Sequence, residues 1–110
     1  MGRDVRWDRV EAEMLEAAAS RSRGNEGRAR VCARRAVGIA LALHWSVGPP
    51  ANAYQLLMRA AADSGLPPEV RQAAQRLTRR VTEAHRLPHD EDPLDDARVI
   101  LAALGHSVRL

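Results

Sequence analysis

Phenylalanine and lysine are missing from this chain of 110 residues, and its aromatic residues are only Trp7, Trp45 and Tyr54. A core with so few rings must be filled by alanine, leucine and valine. Small side chains let helix backbones approach closely, so an alanine-rich core favours packed helices. Cysteine occurs once, at Cys32, which excludes an internal disulfide. The longest apolar-rich stretch, 36–47, contains His44 and stops at Gly48-Pro49-Pro50, too short to cross a bilayer. Residues 1–20 are charged throughout and hold no apolar signal segment. The expectation is a cytoplasmic protein that does not enter a membrane. No glycine-rich phosphate loop, paired-cysteine motif or Ser-His-Asp arrangement occurs, so no cofactor is expected. His85 and His89 are four apart, as on a metal-binding helix, but Pro88 breaks that register. Asp90-Glu91-Asp92 reads as an acidic loop before the last helix, and no metal site is expected.

Helical periodicity is present throughout. The length fits one domain, 1–110, able to bury roughly two-thirds of its unfolded surface. Trp7, Val10, Met14 and Ala17 recur at helical spacing in a first helix from Asp4 to about Ser20, with Arg9, Glu13 and Glu16 opposite. Asn25 is a candidate N-cap for a second helix, about Glu26 to Ser46. Gly48-Pro49-Pro50 stops it. A third helix is expected over about 52–64, with Gly65 in the C′ position. A fourth follows from Pro68 to about His85, striped by Val70, Ala73, Ala74, Leu77, Val81 and Ala84. Asp92-Pro93 opens a fifth, with Asp95 and Asp96 in its first turn, where carboxylates suit the helix dipole. Gly105 closes it. No segment reads as a strand. The expected fold is all-α: an antiparallel up-down bundle of four to five helices around a central, alanine-rich second helix.

That second helix is apolar on two sides. One face carries Ala29, Cys32, Ala33, Ala36, Ile39, Ala40 and Leu43. The other carries Val31, Gly38 and Trp45 at sevenfold spacing, with Leu41 beside them. Burial on both sides implies a central helix or one that also forms a subunit interface. Val31, Gly38, Leu41 and Trp45 are accordingly candidate contacts of a homodimer. Gly38 lowers helix stability by about 1 kcal/mol relative to alanine, and a close helix crossing beside Trp45 would account for it.

The net charge is +3, and all basic residues are arginine. Uniform arginine suits a GC-rich codon usage as well as phosphate contact. Between Arg21 and Arg35 six arginines face a single acid, Glu26. Arg28, Arg30, Arg34 and Arg35 are candidate phosphate or nucleic-acid ligands, because guanidinium forks match phosphate oxygens. Arg28 and Arg35 flank one edge of the core face, and Arg30 and Arg34 the other, so they form no single stripe. The competing expectation pairs the arginines of this stretch with acids of the first helix and of 90–96.

The segment Arg79-Arg80-Val81-Thr82-Glu83-Ala84-His85 places two arginines ahead of a histidine. With the helix order, the chain length, the charged first helix and the long alanine-rich second helix, it resembles the HEPN domains. These are small helical bundles, many of them ribonucleases that use an arginine followed a few residues later by a histidine. The resemblance implies Arg79 or Arg80 with His85 as catalytic residues of a metal-independent ribonuclease, or as part of a nucleotide- or RNA-binding site. The residues themselves, with no complete catalytic set and a doubly apolar second helix, point first to a non-enzymatic, self-associating HEPN-like interaction module.

Overall fold

The computed structural model describes residues 5–48, 52–79 and 91–106. Among them are five helices and no strand: α1 Val5–Ser22, α2 Glu26–His44, α3 Ala53–Ala62, α4 Pro68–Leu77 and α5 Pro93–Ala103. They pack as a bundle. No helix among the described residues is long and apolar enough to cross a membrane.

Local chemistry sets the helix starts. The Asn25 side chain accepts a hydrogen bond from the Arg28 N–H, Asn52 accepts from the Gln55 N–H, and Asp92 accepts from the Leu94 N–H. Each satisfies a backbone donor that a first turn leaves without a partner. α4 begins with Pro68, whose missing N–H costs nothing there. Gly105, at φ +86°, closes α5 as its sequence position predicts, while the His106 N–H donates to the Leu101 carbonyl. Gly65 departs from its expected role. α3 stops at Asp63, whose carboxylate accepts from the Gly65 N–H, and no positive φ is needed there.

α2 is the central element. It packs against α1, α3 and α5. Ala29, Cys32, Ala33, Ala36, Val37, Ala40 and Leu41 are all fully buried. Larger side chains from the other helices fill the remaining space, among them Met14, Leu57, Ile100 and Leu101. Burying each of these contributes about 1.5–3 kcal/mol. Cys32 belongs to this core, and burial pushes its thiol pKa up.

α3 packs over the C-terminal half of the second apolar line of α2 within the same chain. A Cβ added at Gly38 would lie 2.7 Å from the Ala53 Cβ and 3.1 Å from its Cα. This is the close crossing that the glycine predicts. Leu41 is fully buried, and Trp45 is half-buried with the Arg59 guanidinium 4.0 Å above its ring. Of the four interface candidates only Val31 is exposed. Gly38 and Leu41 are thus buried by contacts within the chain. The reason is that α3 returns over the C-terminal half of α2.

α4 runs to Leu77, with Thr78 as its cap and Arg79 beyond it; Val81, Ala84 and His85 of the expected stripe lie outside the described residues. Arg34 reaches across from α2 and donates to the carbonyl oxygens of Leu77 and Arg79, each at 2.7 Å. The Thr78 hydroxyl donates to the Gln75 carbonyl at 2.6 Å.

Candidate nucleic-acid interface

The arginine stretch divides into distinct environments. Arg21 donates to both Glu26 and Asp92, closing at 2.6 Å on Asp92. Arg23 and Arg28 converge on Glu16, each at 3.0 Å. Their guanidiniums hold the Glu16 carboxyl below its ordinary pKa, and Arg21 does the same for Asp92. For Arg21, Arg23 and Arg28 the ion-pairing expectation holds, with partners in α1, in the first turn of α2 and at Asp92. Arg28 is thereby engaged by a carboxylate. Arg30 is half-buried, and its Nε has no hydrogen-bond partner among the described residues. Arg35 is exposed on the other edge of α2 and lines a separate cavity with α1.

Arg34 is the member of the set that meets a second candidate. It and Arg79 line one open groove of about 920 Å³, together with Tyr54, Met58, Gln75 and Thr78. Three helices build this groove. α2 brings Arg34, the exposed face of α3 brings Tyr54 and Met58, and the end of α4 brings the rest. Tyr54 and Met58 are one turn apart and remain 58% and 47% exposed, while Leu57 between them anchors α3 in the core. Arg34 is already oriented by its two carbonyl bonds, so its position costs little further entropy on binding. Arg79 is exposed at the mouth.

Arg80 and His85 lie outside the described residues, as do His89 and Asp90. Of the proposed arginine–histidine set, Arg79 alone can be placed. Asp92, considered above as part of an acidic loop, is bound to Arg21 and caps α5.

Sequence reasoning did not bring Tyr54 and Met58 to this site. Their pattern in the third helix reads as one apolar face with Leu57 and Ala61. On the helical wheel Leu57 and Met58 lie at its opposite margins, about 100° apart, and the core takes the Leu57 side. The pairing of Arg76 with Asp96 was also missed. Asp96, 4% exposed, accepts from Arg76 at 2.8, 3.0 and 3.2 Å, which raises the arginine's pKa. This bond ties α4 to α5.

No family model, curated protein or solved structure matches the chain.

Proposed function

We propose that the chain is a HEPN-like, non-enzymatic binding module, an antiparallel up-down bundle, whose groove between α2, α3 and α4 accepts single-stranded RNA. The carrying observation is that Arg34, Arg79 and the exposed Tyr54 line one open groove. Sequence-tolerant recognition of single strands needs a stacking platform and cations that follow the phosphates. Tyr54 supplies the ring, with Met58 extending the apolar surface. The guanidiniums supply the charge, and Gln75 and Thr78 supply hydrogen-bonding groups for base edges or 2′-hydroxyls. The net charge of +3 favours approach of a polyanion. A duplex would present its bases stacked inside, out of reach of Tyr54. The short turn at 23–25 between α1 and α2 supports the antiparallel arrangement.

Fluorescence anisotropy with a labelled single-stranded RNA at low salt tests this. Tyr54→Ala should weaken binding about tenfold, the scale of one lost base stack. Arg79→Gln should weaken it and flatten its salt dependence. Absence of binding at tens of micromolar protein, or indifference to both substitutions, would refute the reading.

A second reading, self-association, is favoured by the exposure of Tyr54 and Met58 themselves. In that case light scattering detects a dimer that Met58→Glu dissolves, and RNA does not compete with it. The ribonuclease alternative rests on Arg79 or Arg80 with His85. It requires RNA cleavage by the wild type that His85→Ala abolishes.

A further inference from the structure

A second cavity, of about 300 Å³, opens on the other side of α2, where α1, α2 and the start of α3 meet. It takes no part in the groove described above. Its floor is apolar, formed by Gly38, Ile39, Ala42 and Val47. Its charged lining consists of Arg6, Arg9, Arg35 and Glu13. One carboxylate oxygen of Glu13, Oε2, is buried and lacks any hydrogen-bond partner among the described residues. A buried, unsatisfied charged acceptor is costly, and a ligand that supplies a donor there recovers that cost.

The charges restrict what such a ligand can be. A simple anion would meet Arg9 and Arg35 favourably but would lie beside the Glu13 carboxylate and leave its oxygen without a donor. A simple amine would satisfy Glu13 but face the arginines. A neutral apolar molecule would use the floor and neither set of charges. A molecule with adjacent carboxylate and ammonium groups on an apolar body uses all three. The volume would hold roughly ten waters at about 30 Å³ each, room enough for one free amino acid of leucine's size. It also lies at the lower limit of ordinary small-molecule sites.

We propose that this cavity binds a free apolar α-amino acid, with its carboxylate on Arg9 and Arg35, its ammonium on Glu13, and its side chain over Ile39, Ala42 and Val47. Arginine forks grip a carboxylate through paired N–H donors. The ammonium replaces the donor that Glu13 lacks. The small floor residues leave the side chain its space.

Titration calorimetry and amide chemical-shift mapping at pH 7, with three probes, test the assignment. The probes are leucine, 4-methylpentanoate (which lacks the amine) and 3-methylbutylamine (which lacks the acid). Leucine is expected to bind at least about tenfold more tightly than either, the scale of one charge-assisted hydrogen bond. Its shifts should centre on residues 35–42. Glu13→Gln should weaken leucine about tenfold and leave 4-methylpentanoate unchanged or tighter. Arg35→Gln should weaken both. Thermal melts of the two variants check that they remain folded. Ala42→Leu provides an independent arm, because it fills the floor without altering a charge and should abolish binding of leucine. Equal affinity for leucine and 4-methylpentanoate, or leucine binding indifferent to both charge substitutions, overturns the proposal.

Discussion

The crossing of α2 and α3 gives a prediction whose sign depends on geometry. Glycine-to-alanine substitution inside a helix ordinarily stabilises by about 0.5–1 kcal/mol, through the backbone entropy of the unfolded chain. α2 contains two glycines, Gly27 and Gly38. A Cβ at Gly27 meets nothing closer than the Asn25 Oδ1 at 3.9 Å. Gly27→Ala should therefore stabilise, by about 0.5 kcal/mol because the site lies in the first turn. At Gly38 the same Cβ would stand 2.7 Å from the Ala53 Cβ and 3.1 Å from its Cα. A backbone atom cannot rotate away, so α3 must move. Overpacking of this kind costs about 1–3 kcal/mol. Subtracting the propensity gain leaves a net destabilisation of about 1 kcal/mol. The two variants should thus differ by about 1.5 kcal/mol in urea unfolding, or about 5–8 °C in Tm for a chain of this length. Ala53→Gly introduced into Gly38→Ala should recover part of the loss despite lowering helix propensity, and that recovery is the coupling between the two sites. Stability of Gly38→Ala equal to or above wild type would refute the close approach. It would also return the second apolar line of α2 to consideration as a subunit interface.

Other consequences follow from the ion pairs. Arg76→Ala strands the nearly buried Asp96 carboxylate and should cost about 3 kcal/mol or more in urea unfolding. The double substitution Arg76→Met with Asp96→Leu should recover most of that loss, since well-packed apolar residues commonly replace a buried pair. Acidification should weaken the fold. The Asp92 pKa is lowered in the folded state, chiefly by Arg21. Its contribution is complete above the unfolded value of about 3.9 and disappears as pH falls through that value and the lower folded one. Urea titrations between pH 5 and 2 should show this loss, and Asp92→Asn should make the profile shallower. Arg34→Ala should lower stability by about 1–2 kcal/mol, because the carbonyls of Leu77 and Arg79 lose their donor. In Arg34→Ala, amide exchange should accelerate first at the end of α4.

Much of the helical framework is legible in the residues. The caps at Asn25 and Asp92, the stop at Gly105 and the stripes of α1 and α2 are local signals, spaced within one or two turns. Features that depend on distant partners are not. At the end of the described α4 the carbonyls of Leu77 and Arg79 bind Arg34, more than forty positions earlier in the chain, a contact that periodicity does not encode. The double apolar face of α2 was visible, but whether a partner chain or α3 covered it was not. Periodicity reports that a face is buried without naming its neighbour. Asp96 looked like a first-turn dipole residue, and its nearly complete burial depends on Arg76, 20 positions away. Site legibility had the same limit. Arg34 and Arg79 each stood out by composition, while their meeting beside Tyr54 is a property of three helices together.

The Arg21 bond to Asp92 has a kinetic meaning. It ties together positions 71 residues apart, whereas α1 and α2 are neighbours in the chain and share the most extensive contact of any helix pair. Short-range pairing closes small loops at little entropic cost and can form early, while this bond must await the arrival of α5. Its energy therefore enters on the native side of the folding barrier. Arg21→Gln should accelerate unfolding in stopped-flow measurements and leave the refolding rate nearly unchanged. An equally large slowing of refolding would place α5 in the nucleus instead. A single arginine at the end of α1 thus governs how long the folded molecule lasts more than how quickly it is made.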